Sequence, residues 1–284
     1  MPAVLGTNVA SLWASKNLQS AQSNMANSVE RLSSGLRVNR ARDDAAGPGI
    51  ANALTQQINS ADQGIRNLND GISIVQTAEG ALAQVGEMAQ RILTLSIQGQ
   101  SSALITTQKN SITTEMRNLL DGINAIQTRT KFGSNTNTLF NSTALTVNNS
   151  KESADTVSIT ATALATIGTA AGGLANTLST NVTTAASTAT VGDFQAITTS
   201  VSTFINAISS QRGELGATQN QMEYSINNIT ELSANLSSAR SRIIDTDYAT
   251  ETAKLTKGQI LQQAATAMLA QANQMPNVIL SLLK

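Results

Sequence analysis

Ionisable side chains crowd at one place in this chain, where Arg31, Arg37, Arg40 and Arg42 precede the adjacent carboxylates Asp43 and Asp44. Two carboxylates side by side invite comparison with an acid/base pair or a cation site. Neighbours in a helix do not share a face, however, so the two would not converge on one reacting atom. The chemistry left to the cluster is ion pairing, within the chain or between copies. Elsewhere the sequence offers no reactive group of the usual kinds. With 0 Cys and 0 His it has no disulfide, no thiol nucleophile, no ordinary zinc ligand set and no histidine acid–base step. No catalytic residue, metal or cofactor is expected, and the protein reads as a non-enzyme.

The composition points to the kind of element that must carry this cluster. Only 13% of residues are charged, 2% are aromatic and 3 are Pro, and much of the 40% hydrophobic fraction is alanine. Alanine supports helices and their close approach without building a thick core. The 18 basic and 18 acidic residues cancel and form no block, so neither nucleic acid nor an anionic membrane is an expected partner. No apolar run reaches the roughly 18 residues of a membrane span, so no membrane insertion is expected. The N-terminus shows no basic region leading into an apolar one, so no cleavable signal is expected.

Periodicity locates the helices. From Asn8 to Ser33 the apolar residues Leu18, Ala21, Met25, Val29, Leu32 and Leu36 recur every three or four positions, and Gly35 ends the run. Ser34 to Gly49, which holds the charged cluster, reads as a connector, because Pro48 inside a helix would cost about 3 kcal/mol or more. A long helix is predicted from Ile50 to Gln98 on the stripe Ile58, Ile65, Leu68, Ile72, Val75, Leu82, Val85, Ile92 and Leu95. A turn at Gly99 to Ser102 leads to a second helix, Thr106 to Arg129, closing a helical hairpin.

The Ser/Thr-rich middle, from about Gly133, loses this period, and Thr156 to Thr160 (TVSIT) alternates as a short strand does. Gly172 and Gly173 mark a turn there. Helix resumes near Asp193 with Phe194, Ile197, Val201, Phe204, Ile205 and Ile208. After Gly213 to Gly216 it runs on through Met222, Ile226, Ile229, Leu232, Leu236 and Ile243. A last helix spans Leu255 to Gln274 with Ile260, Leu261, Met268 and Leu269, and Pro276 is expected to bend or stop it. Met25, Met88, Met116, Met222 and Met268 read as core fillers, and Trp13 and Tyr248 as anchors of terminal packing. The predicted fold is mainly α: an elongated antiparallel helical bundle or coiled coil with its terminal helices paired and small β-hairpins in the middle.

Four blocks carry a resemblance: ERLSSGLRVNRARDDAA from Glu30, NDGISIVQTAEGAL from Asn69, LGATQN from Leu215, and the run from Ser241 to Leu283. They closely resemble bacterial flagellin, in a short form with no room for large outer domains. The resemblance implies a structural subunit that self-assembles into the flagellar filament for motility, its terminal helices forming the inner tube. A hook–filament junction axial protein is the alternative. It implies residues 1–43 and 245–284 as the two halves of an inner coiled coil, 44–192 and 193–244 as the helical outer part, and β-hairpins within about 133–192. Leu18, Met25, Leu32, Leu36, Ile260, Leu261, Met268 and Leu269 would then serve terminal and inter-subunit packing. Arg31, Arg37, Arg40, Arg42, Asp43, Asp44 and Pro48 form the connector. There the family commonly has a Leu-like residue and a small one after Gly47, where this chain has Pro48 and Gly49.

The partners so implied are many identical copies, flagellar cap and hook-junction proteins, and an export chaperone on the C-terminal segment. Export through the flagellar secretion channel without a cleaved signal would place the protein outside the cell. Arg91, Leu95 and Gln98 match the motif read by Toll-like receptor 5, whereas Leu93 and Thr94 stand where strongly recognised flagellins carry Arg and Glu.

Overall fold

The computed structural model describes residues 8–131, 140, 145–149, 155–159, 180–183 and 190–282, with the backbone alone over 275–282. The chain is mainly helical, with α1 at Val9–Ser34, α2 at Gly47–Gly99, α3 at Thr106–Arg129, α4 at Val191–Ile244 and α5 at Tyr248–Leu282. The strands β1 (Leu145–Asn148) and β2 (Thr156–Ile159) pair antiparallel, with Val147 opposite Val157. The chain divides into two compact units, Met1–Ile58 with Ala234–Lys284, and Asn59–Ser233.

Side chains satisfy backbone N–H groups where several of the helices begin. Asn8 Oδ1 accepts from Ser11 N (3.0 Å) at α1, and Gln108 Oε1 accepts from Ile105 N (3.2 Å) at α3. Thr190 and Asp193 satisfy each other's backbone N–H at α4, and Asp247 accepts from Ala249 N (2.9 Å) at α5. Two expectations need correction. Pro48 lies in the first turn of α2, where a proline's missing N–H has no helical partner to lose, so it starts the helix and does not break it. Pro276 is carried inside α5, whose flanking turns continue the helix. α4 runs unbroken through Gly213 and Gly216. The turn signal at Gly172 and Gly173 lies outside the described residues.

The internal unit packs α2, α3 and α4 about one core. It takes Leu68, Val75, Leu82, Val85, Ile92 and Leu95 from α2, Ile112, Met116 and Ile123 from α3, and Phe194, Ile197, Val201, Phe204 and Met222 from α4. The hairpin closes it with Val147, Val157 and Ile159. Leu232 departs from the predicted stripe and is exposed, between the buried Ile229 and the half-buried Leu236. Polar anchors fix the helices: Arg91 pairs with Glu115 (2.8 Å), Arg212 with Glu79 (3.3 Å), and the buried Ser96 hydroxyl lies 2.9 Å from that of Thr198. The hairpin sits so close to α2 that a Cβ on Gly64 would come within 2.0 Å of the Asn149 carbonyl oxygen, and Asn67 Nδ2 holds Asn148 O at 3.0 Å beside it.

This contact gives a matched pair of tests. Gly64→Ala must push the hairpin off α2 and is expected to destabilise by about 1–3 kcal/mol. Gly80→Ala meets nothing within 4 Å and should stabilise by about 0.4–1 kcal/mol. Urea denaturation of the soluble chain measures both, and equal midpoints would exclude the proposed seat.

Candidate polymerisation interface

The two chain ends meet in the terminal unit. α1 buries Ala14, Ala21 and Ser28, seven residues apart, with Leu18, Met25 and Leu32 half-buried beside them. α5 buries Glu251, Gly258 and Ala272 in the same heptad, with Ala265, Leu255, Gln262 and Leu269 half-buried. Small residues every seventh position let two antiparallel helices approach closely, as the 3.4 Å between Met25 Cβ and the place of a Cβ on Gly258 shows. Asn8 Nδ2 donates to Ala272 O (2.8 Å) and Ser11 Oγ to Asn273 Oδ1 (3.0 Å) at one end of the pair. Ser28 Oγ donates to Glu251 Oε1 (2.7 Å) toward the other.

At its base the pair is closed by backbone. Gly35, at φ 71°, turns the chain out of α1, and Leu36 and Asp245 form an antiparallel bridge. Arg37 N donates to Ile244 O (2.7 Å) and Thr246 N to Gly35 O (2.9 Å), while the Arg37 guanidinium caps the Ile243 carbonyl at the end of α4. A side chain at Gly35 would strain that φ and meet the Tyr248 hydroxyl at 3.2 Å. Sequence reasoning missed this clasp, since a single bridge between segments distant in the chain leaves no local periodicity.

The connector's charged residues turn out to serve this unit's own backbone. Arg40 pairs with Glu30 (2.8 Å), and Arg42 lies 3.7 Å from Asp43. The Arg40 backbone N–H holds the Asp43 carboxyl below the ordinary range, helped by that of Asn39 and by Arg42 and Arg31. The N–H groups of Gly47 and Ala46 do the same for Asp44 at the start of α2, as Thr250 and Ala249 do for Asp247 at the start of α5. Burial works to raise Glu251, but the Ser28 hydroxyl, the Lys254 ammonium (3.0 Å) and Arg31 outweigh it and leave the group lowered. Asp43 and Asp44 thus cap backbone and share no ligand, and among the described residues no acidic cluster could hold a metal ion.

The residues singled out for terminal packing separate into two sets. Leu18, Met25, Leu32, Leu36 and Leu269 are half-buried between the chain's own ends. Ile260, Leu261 and Met268 face outward, as do Leu12 and the anchors Trp13 and Tyr248. Met268 is therefore no core filler: at 64% exposure it stands on the outer side of α5, while Met116 and Met222 are fully buried. Trp13, Leu261 and Met268 border an open groove of about 670 Å³ along the pair, floored by Ala14, Ala21 and Ala265. Lys16 lies 5.3 Å from the Trp13 ring centre. In the internal unit, Arg91 and Gln98 are exposed, Arg91 in its pair with Glu115, and Leu95 is in the core.

The two ends of the chain pair through a small-residue seam, and in the sequence the helices of a second unit lie between them. A solved structure titled as a putative flagellar hook-associated protein from Vibrio parahaemolyticus shares the fold, with TM-score 0.60 over 72% of this chain and all of that one at 13% identity. The family model of the bacterial flagellin N-terminal helical region matches residues 5–145, and that of the C-terminal helical region matches residues 198–283. The flagellins of Halalkalibacterium halodurans and Bacillus subtilis are each 38% identical to the chain. The first alignment covers 99% of this chain and 100% of the relative, the second 98% of both. The chain belongs to the bacterial flagellin family. It is a structural subunit of the flagellar filament, and no described helix is long and apolar enough to cross a membrane.

A lowered carboxylate stabilises the fold above its ordinary pKa and loses that contribution as pH falls through the depressed value. Asp43, Asp44, Asp247 and Glu251 all belong to the terminal unit. That unit is therefore expected to loosen as pH falls from about 5 to about 3. Amide protection across Val9–Ser34, corrected for intrinsic exchange rate, is the measurement. Equal protection at both ends of the window would contradict the capping roles given to these groups.

Proposed function

We propose that the outward faces of α1 and α5 are where neighbouring subunits meet, and that the paired ends, residues 1–43 and 245–284, line the inner tube of the filament. The carrying observation is the set of large apolar residues left uncovered on a pair whose fully buried positions are mostly small: Leu12, Trp13, Ile260, Leu261 and Met268. Apolar surface of this extent beside an open groove is stabilised by burial against another copy. The internal unit carries its own core and would form the outer layer, with the hairpin on its flank.

On this reading the cap and hook-junction proteins contact the same ends during assembly. An export chaperone covers the α5 face before secretion through the flagellar channel. Recognition by Toll-like receptor 5 would rest on Arg91 and Gln98, with Leu95 shaping α2 from inside and Leu93 and Thr94 weakening the contact.

Seeded polymerisation tests the interface. Met268→Asp and Leu12→Asp should each raise the critical concentration on the order of tenfold or more, since each places a charge where about 1.5–3 kcal/mol of apolar burial is expected. Trp13 is the chain's 1 tryptophan, so its emission should shift to the blue on assembly and report the step directly. Unchanged growth of both variants would remove these faces from the interface. Backbone amides of α1 and α5 are also expected to exchange faster in dilute monomer than in filaments, and equal protection would show that neighbours do not order them.

A further inference from the structure

The two terminal helices carry nearly interchangeable seams. α1 presents small residues at Ala14, Ala21 and Ser28 and larger ones at Leu18, Met25 and Leu32. α5 repeats the pattern with Gly258, Ala265 and Ala272 against Leu255, Gln262 and Leu269. Where many copies crowd together, packing alone gives α5 little reason to prefer α1 over the α5 of another copy. One position breaks the equivalence. Glu251 continues the small-residue heptad of α5 but is a carboxylate, 5% exposed, and Ser28 facing it is 4% exposed.

We propose that Glu251 and Ser28 are the specificity-determining pair that makes α1 and α5 choose each other over the same helices of a second copy. The inference rests on the terminal helices being packed among those of neighbouring subunits. In the observed pair the carboxylate accepts from Ser28 Oγ at 2.7 Å and is covered by Lys254 at 3.0 Å. An antiparallel pair of two α5 helices with Gly258 facing Ala265 sets Glu251 opposite Ala272, which offers no side-chain donor. The carboxylate would keep Lys254 of its own helix but face a methyl group in place of the Ser28 donor, and a buried charge that loses a hydrogen-bond partner is penalised. The arrangement parallels the single buried polar residue that selects partners in a coiled coil at some expense in stability.

The chain has 0 Cys, so introduced thiols report pairing cleanly. Gln262→Cys lies near the two-fold axis of an α5–α5 pair and gives a covalent dimer only when two copies meet there. Ser11→Cys with Asn273→Cys occupies positions whose side chains touch at 3.0 Å and gives a bond within one chain. Both reporters are oxidised in seeded filaments and in concentrated soluble chain, in the native, S28A/E251A and E251Q backgrounds. The native chain and E251Q, which keeps an acceptor for Ser28, should give the internal bond and little Gln262→Cys dimer. S28A/E251A should raise that dimer on the order of tenfold. A merely structural pair would weaken the internal bond without creating the dimer, and that result, or equal dimer in all backgrounds, overturns the proposal. Failure of the native chain to grow from seeds would count instead against the filament interface, and the soluble samples would still decide the pairing.

Discussion

Everything in the terminal unit depends on two chain ends, far apart in sequence, being held side by side where they leave their neighbouring helices. Helix ends leave backbone groups without intrahelical partners. Here the residues after α1 and after α4 satisfy each other: Arg37 N reaches Ile244 O, and Thr246 N reaches Gly35 O. Gly35 makes the turn at a positive φ that other residues adopt only under strain. The clasp sets the two long helices antiparallel at their base, and the heptad of alanine, glycine and serine then lets them close along their length.

A seam of small residues has a consequence for the opposite faces. Alanine and glycine bring the helices together but bury little area, so the pair gains less from the hydrophobic effect than one built on leucine. Several large apolar residues of the two helices, among them Trp13, Ile260 and Met268, are left outside. Internal closeness and external stickiness are thus one design, suited to a subunit completed by its neighbours. The internal unit is built on the opposite principle, with phenylalanine, leucine, isoleucine and methionine fully buried between three helices.

Much of this was legible in the residues. The stripe read for α2 is nearly that in the core, because a three/four repeat can only be satisfied by one helical face. TVSIT showed β2, but LTVN at β1 was not singled out, because a four-residue strand with one buried position carries almost no pattern. Pro48 and Pro276 were read as breaks. Their effect depends on place within the helix and on the turns around them, which the residue type does not state. Asp43 and Asp44 drew notice as a pair, yet each carboxylate looks to a different stretch of backbone.

The amino-acid sequence by itself determined the class of elements and what they could not do. Its alanine-rich helical periods, balanced charges, and lack of histidine and cysteine leave helical packing as its main resource, and the terminal motifs point to the family. Only the tertiary structure decided which apolar residues face inward and which face out. Leu18 and Trp13, or Leu269 and Met268, are equally apolar on paper. Their fates part because the clasp fixes one rotation of α1 against α5, and burial depends on that rotation, which no local stretch of sequence encodes.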